Sequence, residues 1–266
     1  AGWGDAETDA RRASHAENGL PAGATSSEAC RRFSGCPGHV AMCATYALFS
    51  YMHAHCNPVA YSWSKKPVSA EYMTQLSKRL DEVYGIHPEF RRMKMRICGH
   101  TVPAFETLLN RAKLLESRLS APFSVYIHGD FNVDNIIYDP LEKKINFIDL
   151  HRSRYMDYVQ DVSVFMVSMY RLQVLDAPLR KRILDMAMDF YEFSASYAKR
   201  SKDDTFELRL ALGLARSFAT STRFILDKSL ARTMFLRARY LIERVLEANP
   251  KQPKSFKVPV KEIFVG

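Results

Sequence analysis

The chain is predicted to be an α+β domain in which a small platform, centred on one β-hairpin, sits among about seven helices and follows a segment without regular structure. Three observations predict this class. Apolar residues recur at helical spacing over most of the chain beyond residue 68. Between Phe123 and Ile148 the spacing changes to that of strands. The first 38 residues are rich in Ala, Gly, Ser and Arg and follow neither period.

Taken in order, residues 1–39 are expected to be disordered or a remnant, 40–249 to form the helical catalytic unit, and 250–266 to be a basic tail. Val40 to His55 has helix-compatible apolar content, and Val68 to Tyr84 places Tyr72, Leu76, Leu80 and Val83 on one face. A further helix is expected from Ala104 to Leu119, where Phe105, Leu108, Leu109, Ala112, Leu115 and Leu119 make an apolar stripe. Ser120, Ala121 and Pro122 end it. Phe123, Val125 and Ile127 then alternate with smaller or polar residues, and Ile136–Tyr138 and Ile145–Ile148 are short β-branched runs. Asp139 and Pro140 supply turn chemistry between those two runs, which therefore read as a hairpin.

Past Asp157 helical spacing returns with Val162, Phe165, Met166 and Met169. Asp176 is an expected N-cap and Pro178 suits the first turn of a helix reaching about Tyr197. Two more helices are expected over Thr205–Leu226 and Leu230–Glu247, the last stopped by Asn249 and Pro250.

Composition excludes several classes. A chain of 266 residues with 47% apolar residues can fill a sizeable core. The most hydrophobic stretch, Val40 to Phe49, is too short to span a bilayer, so no membrane partner is expected. Five cysteines, an odd number, disfavour a disulfide framework and fit a reducing, cytoplasmic setting. Cys30, Cys36, Cys43 and Cys56 lie near His39, His53 and His55, but no CxxC pair fixes a chelate, which argues against zinc. A net charge of +9 and a pI of about 9.3 would suit an anionic partner. Without a basic motif interleaved with aromatics, nucleic acid ranks last among the partners. Lys251, Lys254, Lys257 and Lys261 make only a modest cluster in the tail. The first residue is Ala, and the opening lacks the basic start and apolar run of a signal peptide, so processing or truncation is expected to have removed the true start.

The chemistry is concentrated between two strands. His128, Gly129, Asp130 and Asn135 spell HGDxxxxN, the spacing of a kinase catalytic loop, in which the Asp accepts or orients a substrate hydroxyl and the Asn holds magnesium. An isolated HxDxxxxN arises by chance in roughly one chain of this length in a hundred, so the surroundings decide its weight. Phosphoryl transfer leaves a protein little covalent work, and positioning plus charge neutralisation need a carboxylate and oxygen ligands. Asp149 ends the run Ile145–Ile148, and a hairpin would return it beside Asn135, where both could face one cation.

YIHGDFNVDNIIYD followed by INFIDLHRSRYMDYVQDVSVF resembles the heart of the aminoglycoside phosphotransferase and choline kinase families, which have a protein-kinase-like fold. The resemblance implies a mostly helical C-terminal lobe carrying a β-hairpin catalytic platform, and an ATP-dependent transfer to the hydroxyl of a small-molecule acceptor. It implies that Asp130 is the base, that Asn135 and Asp149 bind Mg2+ and thereby the nucleotide, and that His128 supports the loop. Asp157 and Asp161 fall on the second acidic motif, where capping and buried hydrogen bonding are expected.

Two departures stand out. His151 replaces a usual Gly, and Arg152 and Arg154 follow it. These arginines suit either phosphate or an acidic acceptor, or else a salt bridge to Asp157 or Asp161. Upstream, no Gly-rich phosphate loop is found and no lysine precedes Lys65, so the nucleotide lobe is expected to be missing or truncated. A rival reading follows, a catalytically inactive pseudokinase or fragment with a binding or regulatory role. The acceptor and the oligomeric state stay open.

Overall fold

The computed structural model describes residues 66–91, 96–97, 100–139, 141–142, 144–249 and 252–265. Among them the chain forms α1 (Tyr72–Ser77), α2 (Leu80–Ile86), β1 (Arg96–Ile97), β2 (His100–Thr101), α3 (Phe105–Glu116), β3 (Val125–Ile127), β4 (Ile136–Asp139), β5 (Lys144–Phe147), β6 (Arg154–Met156), α4 (Val159–Tyr170), α5 (Ala177–Arg200), α6 (Phe206–Ser221), α7 (Lys228–Glu247) and α8 (Val260–Ile263). This is the expected mostly helical architecture with small antiparallel pairs. The expected segment 1–39 and the helix Val40–His55 lie outside the described residues.

The core is built around α4 and α6, every described residue of α4 and nearly all of α6 being buried. Their close approach falls at Gly213, where a Cβ would meet the Ser163 side chain at 2.9 to 3.0 Å. Aromatic rings fill the space around them: Phe131 lies 5.2 Å from Phe165, which lies 5.0 Å from Phe190. α5 and α7 begin as capping chemistry requires. Asp176 accepts from the Leu179 amide at 2.8 Å and Asp227 from the Leu230 amide at 2.8 Å, each using one of the free N–H groups of a first turn.

The single helix expected over Val68–Tyr84 is two short ones. At the junction the Arg79 amide bonds the Leu76 carbonyl, three residues back, which tightens the turn while Leu76, Leu80 and Val83 stay buried. Glu116, at the end of α3, holds the start of α1 by accepting from the Tyr72 and Met73 amides at 2.5 and 2.9 Å.

β4 and β5 pair from Ile136↔Phe147 to Asp139↔Lys144, the expected hairpin. β3 pairs with β6, Val125↔Met156 through Ile127↔Arg154. The two pairs bracket the loop 128–135 and hold it against α4. The segment read as a basic tail also packs: Phe256, Val258, Val260, Ile263 and Phe264 are buried, and Glu207 of α6 accepts from Lys257 Nζ at 2.9 Å and the Val258 amide at 3.0 Å.

Candidate active site

Leaving β3, the chain turns through His128, Gly129 and Asp130. Gly129 has φ 86°, and a Cβ there would press into the backbone carbonyl of Arg152. Both conditions demand glycine. Asp161, on the first turn of α4, clamps this turn by accepting from the His128 amide at 2.7 Å and the Gly129 amide at 2.9 Å. Burial pushes its carboxyl up to about 7, against the lowering pull of those two amides. Gln160 adds a third tie, its Nε2 donating to the Gly129 carbonyl at 2.9 Å.

His128 is buried, and burial lowers its pKa, so the ring is neutral. Its Nε2 lies 3.0 Å from the Ile148 carbonyl, which can only accept. The proton therefore sits on Nε2 and Nδ1 faces the Asp130 amide at 3.4 Å. The ring thus links the loop to the end of β5.

Asp130 is 25% exposed in its side chain and both oxygens are engaged. Oδ1 accepts from Asn132 Nδ2 at 2.7 Å, and Oδ2 pairs with Arg152 Nη1 at 3.0 Å. Asn135 Nδ2 donates to the Asp130 carbonyl at 2.8 Å, which turns the Asn135 side-chain oxygen the other way. The Ile148 amide donates to the Asn135 carbonyl at 3.1 Å, so the residue before Asp149 is bonded directly to Asn135. Asp149 itself is left-handed, φ 61° and ψ 46°, a conformation Asp tolerates better than most side chains. It turns the chain out of β5 with its half-exposed carboxylate paired to His151 Nδ1. Asp130, Asn135 and Asp149 are therefore gathered at one end of the hairpin.

Two oxygen donors, one amide and one carboxylate, suit a magnesium ion that takes the rest of its shell from phosphates and water. No group of three or more His, Cys, Asp or Glu side chains able to hold a metal occurs among the described residues. No described helix is long and apolar enough to cross a membrane.

The Ecdysteroid kinase-like family matches residues 44–191, more than half of the 266-residue chain, and the matched span contains all of the loop and hairpin just described. The chain belongs to the ecdysteroid kinase-like family. No curated protein matches it. The family is part of the superfamily of small-molecule kinases that includes aminoglycoside phosphotransferases and choline kinases, so the resemblance drawn from the motif holds at that level and the narrower family is a different one. Membership implies a kinase that uses ATP and a small-molecule substrate.

In this ecdysteroid kinase-like chain Asp157 and Asp161 make the buried hydrogen bonds expected of them, but neither pairs with Arg152 or Arg154. Arg152 pairs with Asp130, not with Asp157 or Asp161, and Arg154 lies exposed on β6 opposite Ile127. Asp157 is fully buried; it accepts from Tyr72 Oη at 3.0 Å and the Val159 amide at 3.1 Å, and it pairs with Arg209. Arg209 also pairs with Asp203, which accepts from Tyr158 Oη at 2.7 Å. Sequence reasoning missed Arg209, Arg216 and Arg223 altogether. Their signal was there to read: they recur every seven residues along α6 and its continuation, so they share a face of a mostly apolar helix. All three lie beyond the residues that the family matches.

Proposed function

We propose that this chain transfers the γ-phosphoryl group of MgATP to a hydroxyl of a small molecule. The acceptor oxygen bonds to phosphorus as the bond from phosphorus to the β-phosphate oxygen breaks, ADP leaves, and the hydroxyl proton passes to Asp130. Asn135 and Asp149 hold magnesium, whose charge offsets that of the phosphates. The observation that carries the reading is the orientation of Asn135. Its amide nitrogen is spent on the Asp130 carbonyl, so its oxygen is left for a cation beside Asp149.

Ile137 and Ile148, 48% and 43% exposed, stand next to these ligands and offer an apolar seat for the nucleotide base. Arg152 has a second part to play: while it pairs with Asp130 at 3.0 Å it holds that carboxylate aimed, and it must yield room when the hydroxyl arrives. The family description points to hydroxylated steroids as one class of acceptor to try.

Calorimetric titration of the chain with ATP, with and without magnesium, tests the site. Magnesium-dependent binding that disappears in Asp149→Ala is the expected result, and binding indifferent to magnesium would remove Asn135 and Asp149 from their roles. Asp130→Ala should keep MgATP binding and lose nearly all transfer to hydroxylated acceptors; retained turnover would displace Asp130 as base. Wild-type protein that binds MgATP yet phosphorylates no acceptor would favour the second reading, a nucleotide-binding module without turnover.

A further inference from the structure

A guanidinium withdrawn from water needs acceptors for its N–H groups, and donors that the described residues leave open can be met by a ligand. Arg216 is in that position. It is 6% exposed, and its Nε and Nη2 have no hydrogen-bond partner among the described residues. Its guanidinium carbon lies 5.8 Å from the Tyr72 ring centre, on the side of α6 that faces α1. Besides burial, the groups that act on it are Tyr72, Arg79, Asp130 and Asp161.

Arg79 stands half-buried at the junction of α1 and α2 and feels Arg152 and Arg223 as well as Asp130. Arg152 pairs with Asp130 at 3.0 Å, and Arg223 ties the end of α6 to Glu82 of α2 at 2.8 Å. Arg152 thus pairs with the expected base, and Arg216 and Arg79 both feel its charge. Asp130 and Glu82 already have partners, and both oxygens of Asp161 are taken by loop amides. Arg216 comes from α6 and Arg79 from the junction of α1 and α2, whereas Asn135 and Asp149 flank the hairpin. The positive cluster therefore lies on the helical flank of Asp130, the flank left for the acceptor once the nucleotide takes the hairpin side.

We propose that Arg216 and Arg79 form an anion-binding subsite on the helical flank of Asp130, and that the acceptor carries an oxyanion, a carboxylate, sulfate or phosphate ester, near the hydroxyl that is phosphorylated. The planar fork of Arg216, with Nε and Nη2 both open, matches two oxygens of such a group. An uncharged steroid alcohol would leave both donors without a partner, whereas an acidic conjugate of one would satisfy them. The proposal rests on Asp130 being the residue that meets the acceptor.

The test titrates the whole chain with acetate, sulfate and inorganic phosphate in the absence of nucleotide, beside Arg216→Gln and Arg79→Gln, with circular dichroism confirming that each variant is folded. Saturable binding of at least one anion, weakened about tenfold or more in Arg216→Gln, is the expected result, and the anion bound most tightly names the acceptor's group. Arg79→Gln, at a half-exposed position, should weaken the same anion and serves if Arg216→Gln does not fold. Equal anion binding in wild type and both variants would overturn the subsite. MgATP titrations separate the two readings. Loss of MgATP affinity in Arg216→Gln would assign the arginine to the nucleotide's phosphates and overturn the proposal. Arginine-dependent anion binding in a chain that never binds MgATP would leave the subsite standing and sink the kinase reading beneath it.

Discussion

Arg209 and Arg216 sit two turns apart on α6, 2% and 6% exposed, and the protein treats them in opposite ways. Arg209 is neutralised twice over, by Asp157 and Asp203, and its Nε donates to Thr205 Oγ1 at 3.1 Å. Burial pulls its pKa down, but the two aspartates outweigh that pull and hold it well above the ordinary value. Arg216 has no such carboxylate pair, and burial drags it down to about 10, low for an arginine and still charged at neutral pH. One buried cation is thus part of the scaffold, joining α6 to the residue that leads into α4 and to the turn before α6. The other is a charge held in reserve beside Asp130. Identical residue type, helix and burial do not decide the role; the counter-charge does.

Removing Arg209 should have the largest effect on stability. Arg209→Met leaves Asp157 and Asp203 buried without their cation, and breaking a buried pair from one side costs about 3–5 kcal/mol. Urea unfolding at pH 7 is the measurement. A loss below about 1 kcal/mol would mean that Arg209 is no more structural than Arg216, and the contrast would collapse. Asp203→Asn is a milder version. Asp157 still neutralises Arg209 and the Asn oxygen still accepts, so the expected loss is about 2 kcal/mol. A loss as large as that of Arg209→Met would show that Asp203 alone carries the network.

Local signals made most of the scaffold legible and left this contrast hidden. The stripe of α3, the Asp176 cap of α5 and the pairing of β4 with β5 are each encoded within a few residues, and each was readable. The spacing of Asp130, Asn135 and Asp149 was readable for the same reason, since a loop and a hairpin are short-range objects. β6 was not, because Arg154–Tyr155–Met156 is too short to show a period and exists by pairing with β3, about 30 residues earlier. The partners of Arg209 come from 52 and 6 residues away, and those of Asp161 from 33 and 32. A seven-residue rhythm of arginines could flag α6, but only the fold reveals which of them finds a carboxylate.

Glu116 extends the comparison to an acid that has amides and no cation. Burial raises its carboxyl to about 7, with the Met73 and Tyr72 amides pulling the other way. Its folded pKa lies above the ordinary 4.5, so the folded chain holds the proton more tightly than the unfolded one. This contribution to stability is full below about pH 4.5 and is lost as pH rises through about 7. Wild-type protein should therefore lose about 2 kcal/mol more than Glu116→Gln between pH 5 and pH 7.5. Urea midpoints at the two pH values measure the difference, and parallel pH profiles would show that the amide bonds, as at a helix cap, fully offset the burial.

Arg216→Met should change stability least, and it is the sharpest test of the contrast. The substitution keeps the apolar stem that packs near Tyr72 and removes a charge whose Nε and Nη2 bond to nothing described. Taking away an unpaired buried cation relieves a desolvation penalty, so stability should stay within about 1 kcal/mol of wild type or rise. Asp161 works against that gain, since Arg216 lowers its pKa and losing the cation leaves the clamp on the loop harder to ionise. The two effects oppose and are both small beside the loss expected for Arg209→Met. Should Arg216→Met instead unfold as readily as Arg209→Met, Arg216 would be scaffold after all, paired in solution with a group its surroundings do not show. A chain that stays folded while it loses its hold on anions would instead mean that α6 keeps one arginine for its own stability and exposes the other's charge to a ligand.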